Sequence, residues 1–229
     1  MAIENNMKIA ILCTILIVAF AVVFVSAYRF GQSRVVQQHP LYRMFAIRQQ
    51  AAMIGKGAIL FLGDSIVEQA YVPEINGHAV LNAGVSGAKT TEVAPFGREL
   101  INLAKPSVVL ISAGLNDAQS KSPTSIDEFR SALSGLVDDA RASGASVYLL
   151  TQTAVRSDEK LGIKVDMVRS FDAAIKEIAV EKAVGIIDEA AALSGPNDEM
   201  PSSITIDGIH LNSVGYDIWR KTIGDRLFH

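Results

Sequence analysis

Two short blocks of this chain carry side chains that can make and break covalent bonds. Ser65 stands in Gly63-Asp64-Ser65-Ile66, directly after the apolar run Ala58-Ile59-Leu60-Phe61-Leu62. Far downstream, Asp207-Gly208-Ile209-His210 places a carboxylate and an imidazole three residues apart, a spacing that lets both project from one turn. A serine hydroxyl is a poor nucleophile at neutral pH unless a neighbouring base takes its proton. An imidazole is suited to that task, and a carboxylate behind it fixes the tautomer and stabilises the imidazolium. The chemistry this combination points to is ester hydrolysis. Each residue has a plainer reading on its own. Ser65 suits a helix N-cap before Ile66-Val67-Glu68. Asp207-Gly208 suits a turn, His210 a solvated surface and Asn116-Asp117 a cap. Asp64 reads as a turn stabiliser and Asp117 as equally suited to a structural or a site role.

Elements of fixed length must bring these blocks together. Strand-length apolar runs occur at Ile59–Leu62, Ala79–Asn82, Val108–Ser112, Val147–Thr151 and Gly185–Ile187. They are continuous rather than alternating, which predicts strands buried on both faces, as in a parallel sheet. Helical stripes lie between and after them. Ser125-Ile126-Asp127-Glu128 matches a capping box, and Ile126, Phe129, Leu133, Leu136, Val137 and Ala140 follow on one face before Gly144. Val168, Phe171, Ile175 and Ile178 form a second stripe; Tyr216, Trp219, Ile223 and Leu227 form a third. Alternation of this kind predicts an α/β/α sandwich with right-handed crossovers. Ligands of such folds bind at the carboxyl ends of the strands. Four clusters fall there: Gly63-Asp64-Ser65, Asn82 to Gly87, Gly114-Leu115-Asn116-Asp117, and Asp207 to His210.

The ordered set of blocks resembles the SGNH hydrolase family, the GDSL-type esterases and lipases. Gly63-Asp64-Ser65, Gly84, Gly114-x-Asn116-Asp117 and Asp207-x-x-His210 appear in family order, and the resemblance covers residues 57–229. It implies a three-layer, flavodoxin-like sandwich with a five-stranded parallel sheet. It also implies Ser65 as nucleophile, His210 as base and Asp207 as its partner. The oxyanion donors would be the backbone N–H of Ser65, the backbone N–H of Gly84 and the side-chain amide of Asn116. A glycine at 84 would let backbone approach ligand closely. Family members include acetyl esterases, lysophospholipases, thioesterases and carbohydrate deacetylases. With no long lid insertion in this chain, small acyl groups are favoured, on carbohydrate or lipid. Two other readings use the same residues: an acyltransferase with a sugar hydroxyl as acceptor, and a catalytically idle, membrane-tethered binding module.

The first 56 residues divide differently. Residues 1–8 read as a short tail, and 9–27 contain no charge and reach the length needed to span a bilayer. Residues 28–56 read as a polar connector and then a helix starting near His39-Pro40, with Leu41, Phe45 and Arg48 on one face. The apolar segment reads as an anchor with the catalytic domain outside the cytoplasm. The alternatives are a signal peptide cleaved after Val25-Ser26-Ala27 and an anchor of opposite sense. The last is favoured by Arg29, Arg34, Arg43 and Arg48 on the trailing side against Lys8 on the leading one.

Bulk properties exclude several functions. A net charge of -3 without a basic stripe gives nucleic acid no footing. With 49% hydrophobic and 20% charged residues, a packed core is expected rather than disorder. A single cysteine, Cys13, excludes an internal disulfide framework and a cysteine-rich zinc site. No His-x-Glu or paired-His spacing suggests a catalytic metal, and no cofactor is expected. Gly84-Val85-Ser86-Gly87-Ala88-Lys89-Thr90 superficially resembles a phosphate loop, but Ala88 stands where that motif needs Gly. His39, His78 and His229 have no partner at informative spacing and read as structural or solvated. The oligomeric state is not legible.

Overall fold

The computed structural model describes residues 2–156 and 162–227; His229 and the remaining positions lie outside them. The chain forms two compact units, Met1–Arg43 and Met44–His229. Helix α1 (Ala2–Met53) is continuous across that division and contains Pro40. The polar connector expected after residue 27 is therefore helical. Proline removes a single backbone donor, and the helix continues past it. Within the first unit, Thr14–Gln32 is long and apolar enough to cross a membrane. It overlaps the expected 9–27 over residues 14–27.

The second unit holds a six-stranded sheet in the order β2-β3-β1-β4-β5-β6. Its strands are β1 (Ile59–Gly63), β2 (Glu74–Ile75), β3 (His78–Gly84), β4 (Val108–Ser112), β5 (Ser146–Leu150) and β6 (Gly185–Ile187). Five strands are parallel, as expected, and β2 adds a two-residue antiparallel edge to β3. All five residues of β1 and of β4 are buried, which is why these segments read as unbroken apolar runs.

The helices of this unit are α2 (Ser65–Gln69), α3 (Thr90–Ala104), α4 (Ile126–Ala142), α5 (Val165–Glu181), α6 (Glu189–Leu193) and α7 (Ser213–Arg226). Alternate strand residues feed opposite layers. Leu60, Leu62, Val109 and Ile111 pack with α3, α4, α5 and the end of α1. Ile59, Phe61, Val108 and Leu110 pack with α2, α6 and α7. Trp219 of α7 stacks on Phe61 with ring centroids 5.1 Å apart. The capping box at α4 forms as expected: Ser125 Oγ accepts from the Glu128 N–H, and Glu128 accepts from the Ser125 N–H.

The last turns of α1 correct one expected face. Ile47 and Ala51 are buried in the core, with Met44 packed alongside. Leu41 and Phe45 are exposed, and Arg48 pairs with Glu99 at 2.5 Å. The leading helix expected ahead of residue 57 thus packs, from Met44 onward, with the second unit. Helix α3, interrupted in sequence by Pro95, begins where Thr90 donates its backbone N–H and its hydroxyl to Asp117 Oδ2 at 2.9 and 3.0 Å.

Candidate active site

Strand β1 ends at Gly63, and the chain turns at once into α2. Asp64 caps the turn: its Oδ1 accepts the Ile66 N–H at 3.0 Å. This fixes Ser65 at the first helical position, on the carboxyl edge of the sheet, where it stays 9% exposed. Burial pushes the Asp64 carboxyl up to about 6, against the lowering effects of the Ile66 N–H and of His210. Tyr216 of α7 donates its hydroxyl to the Ile66 carbonyl at 2.8 Å, locking α2 from below.

The second block forms a self-contained turn. Asp207 Oδ1 accepts the backbone N–H groups of Ile209 (2.9 Å) and His210 (2.8 Å). Thr205 Oγ1 accepts the Gly208 N–H at 2.8 Å and donates to the His210 carbonyl at 2.7 Å. Arg156, in the loop after β5, donates its backbone N–H to the Gly208 carbonyl. The imidazole is held in series: its Nδ1 is 2.7 Å from Asp207 Oδ2, and its Nε2 is 3.0 Å from Ser65 Oγ. Burial would raise the Asp207 carboxyl. Hydrogen bonds from the His210 ring and from the backbone of His210 and Ile209 outweigh it and hold the group below the usual carboxylate range. An ionised Asp207 can only accept, so it draws the ring proton to Nδ1 and leaves Nε2 free to receive a proton from the serine.

Asn116 opens a short 3-10 turn after β4. Its Nδ2 donates to the Ala88 carbonyl at 3.2 Å and lies 3.3 Å from Asp64 Oδ2, while its Oδ1 accepts from Gln119 Nε2 at 2.9 Å. Ser65, Asn116, Gln119, Lys121, Ile163, Ile209 and His210 line one cavity of about 410 Å³. Asp117 faces away from it, buried, on the start of α3. Among the described residues no group of His, Cys, Asp and Glu is placed to hold a metal. Lys89 of the loop that resembles a phosphate cradle is engaged with the Ser122 carbonyl.

The glycines after β3 divide differently from expectation. The Gly84 N–H donates to Asn82 Oδ1 at 3.0 Å. A Cβ there would stand 2.1 Å from the backbone nitrogen of Glu68, so glycine is required by the packing of α2 on β3 and not by ligand approach. Gly87 is the contrasting case. It sits in the turn closed by the Ala88 N–H on the Val85 carbonyl, at φ +80°, with open space where a Cβ would stand. Its N–H has no partner among the described residues. The sequence places Ser65, Asp207, His210 and Asn116 at the crevice. It does not distinguish Gly84 from Gly87, and it gives no sign of Gln119 or Thr205 beyond their three- and two-residue offsets from Asn116 and Asp207.

A parallel α/β sandwich carrying a hydroxyl, an imidazole and a carboxylate in hydrogen-bonded series has the layout of a hydrolase. The family model for GDSL-like lipases and acylhydrolases matches residues 61–218, and the chain belongs to that family. It is a carboxylic ester hydrolase. An acetylxylan esterase of Geobacillus stearothermophilus is 25% identical over 179 residues, covering 72% of this chain and 81% of that protein. A solved structure from Streptococcus pneumonia, provisionally described as a platelet activating factor, superposes with a TM-score of 0.73 at 20% identity, covering 89% of this chain and 99% of the other. A GDSL-like lipase from Bacteroides thetaiotaomicron gives 0.69 at 20% identity, covering 80% and 95%.

Proposed function

We propose that the protein is a serine esterase that cleaves short-chain acyl esters, with acetylated carbohydrate as the substrate class, through an acyl-enzyme on Ser65. The observation that carries this reading is the unbroken series Asp207 Oδ2–His210 Nδ1 at 2.7 Å and His210 Nε2–Ser65 Oγ at 3.0 Å. His210 takes the Ser65 proton as Oγ attacks the ester carbonyl, then returns it to the departing alcohol. Water, activated by the same imidazole, releases the acid and restores the serine. Asp207 stays ionised and stabilises the imidazolium.

The carbonyl oxygen gains charge as it becomes tetrahedral, and three N–H donors serve it: the backbone of Ser65, the backbone of Gly87 and the side-chain amide of Asn116, whose long contacts to Ala88 (3.2 Å) and Asp64 (3.3 Å) yield to the oxyanion. Gly87 takes the role expected of Gly84, because the Gly84 N–H is already given to Asn82. One such donor is worth about 3–4 kcal/mol in the transition state. The acetylxylan esterase relative supports an acetyl group on a sugar as substrate. Thr14–Gln32 anchors the enzyme in a membrane with the catalytic unit outside the cytoplasm.

Turnover of 4-nitrophenyl acetate by the full chain in detergent micelles, set beside Ser65→Ala, tests the reading. Loss of at least about a thousandfold in kcat with an unchanged melting temperature is expected. Undiminished turnover by Ser65→Ala would remove Ser65 from the mechanism. A reporter fused to the carboxyl terminus checks the sidedness.

A further inference from the structure

An amide has two ends of nearly equal size and opposite hydrogen-bonding character. Asn116 is useful to a developing oxyanion only while its NH₂ faces the crevice; rotated by half a turn, it would present an acceptor to negative charge. The neighbours decide which end points where. On one side stand acceptors, the Ala88 carbonyl at 3.2 Å and Asp64 Oδ2 at 3.3 Å. On the other stands one donor, Gln119 Nε2, 2.9 Å from Asn116 Oδ1.

We propose that Gln119 is a positioning residue for ester hydrolysis, which locks and polarises the Asn116 amide so that its NH₂ is presented to the oxyanion. The inference rests on the esterase reading above. Gln119 is itself held. Its backbone N–H bonds the Asn116 carbonyl at 3.3 Å, it bridges to Ile163, and the next residue, Ser120, donates to the Gly162 carbonyl at 2.8 Å. Its side chain therefore folds back over the turn that carries Asn116. A hydrogen bond received at Oδ1 draws electron density from the amide nitrogen and makes each N–H a stronger donor. The same bond holds Asn116 before substrate arrives, so less reorganisation is needed as charge develops.

The chemistry of the partner, not its bulk, is what the inference turns on, and a series at one position separates the two. Gln119→Leu keeps comparable bulk and removes the donor. Gln119→Lys restores a donor without an acceptor. Gln119→Glu places an acceptor opposite Asn116 Oδ1 and pulls the amide into the wrong orientation. With 4-nitrophenyl acetate and the full chain in micelles, kcat is expected to fall about tenfold for Leu and about a hundredfold for Glu, and to recover in Lys, with KM within about twofold throughout. The ratio of the Glu to the Leu variant should rise as pH falls toward the ordinary glutamate range near 4.3, where the acid regains a proton to donate. That recovery is opposite to what a loss of folding would give, and melting temperatures measured in parallel identify any variant that fails to fold. Equal kcat for Leu, Lys and Glu, or effects confined to KM, would overturn the inference while leaving a Ser65-dependent esterase standing. Absence of Ser65-dependent turnover in the wild type would overturn both.

Discussion

The two glycines after β3 offer a sharp test of the geometry, because the same substitution at neighbouring positions should act through unrelated mechanisms. In Gly84→Ala the new Cβ would lie 2.1 Å from the Glu68 nitrogen, 2.7 Å from the Glu68 Cα and 2.7 Å from the Val67 carbonyl carbon. All three are backbone atoms of α2, so no side-chain rotation relieves the clash. Ordinary contact begins at 3.4 Å, so α2 must retreat by about 1.3 Å. Overpacking of this kind costs about 3 kcal/mol. Ser65 starts the same short helix and is 3.0 Å from the imidazole, and a displacement near 1 Å at a reacting group costs about a hundredfold in rate. Gly87→Ala meets no atom within 4 Å but holds φ at +80°, a strain of about 1–2 kcal/mol for a residue with a Cβ. Urea unfolding and 4-nitrophenyl acetate turnover should show Gly84→Ala losing both stability and activity. Gly87→Ala should lose the smaller amount of stability, and activity only as far as the strained turn displaces its N–H donor. A Gly84→Ala protein within about 1 kcal/mol of wild type would refute the packing argument.

Other perturbations follow from burial and charge. Ile47 is fully buried in the core, so Ile47→Ala should destabilise the catalytic unit by about 3 kcal/mol. Arg48→Ala, which breaks only an exposed pair with Glu99, should cost less than about 1 kcal/mol; chemical denaturation distinguishes them. Glu189 is fully buried, and burial holds its carboxyl well above the ordinary value of 4.5, against the lowering effect of the Trp219 indole. A raised carboxyl favours folding fully below the unfolded value, and that contribution is lost as pH rises. Glu189→Gln should therefore raise the melting temperature more at pH 8 than at pH 5; a gain independent of pH would sink this account. Asp207 is held below its ordinary 3.8, so its contribution is present above that value and fades as pH falls through the lowered one. The stability difference between wild type and Asp207→Asn should accordingly persist at pH 5 and shrink below about pH 3, read by circular dichroism.

The sheet was legible because buried parallel strands leave unbroken apolar runs, and Val108–Ser112 and Gly185–Ile187 match their strands residue for residue. The two-residue edge β2 is too short to leave any pattern. The end of α1 misled for a physical reason. Leu41 and Phe45 are exposed while Ile47 and Ala51 enter the core, and hydropathy cannot separate the two faces. At the site, residue type identified Ser65, Asn116, Asp207 and His210, since their chemistry is unusual in combination. Gly84 and Gly87 are chemically identical, and only the partner of each N–H tells them apart. Gln119 became visible once the turn after β4 brought it back over Asn116.

Apart from the Arg156 N–H on the Gly208 carbonyl, the turn holding Asp207 and His210 is knitted by bonds that span at most five positions, whereas the link to Ser65 crosses 145. Acid and base thus travel together as a local cassette, and their union with the nucleophile depends on the whole sandwich being closed. Loosening of the sheet edges under heat or denaturant would part hydroxyl from imidazole while the cassette persists. Such a catalyst falls silent early in melting and recovers as soon as its layers reunite.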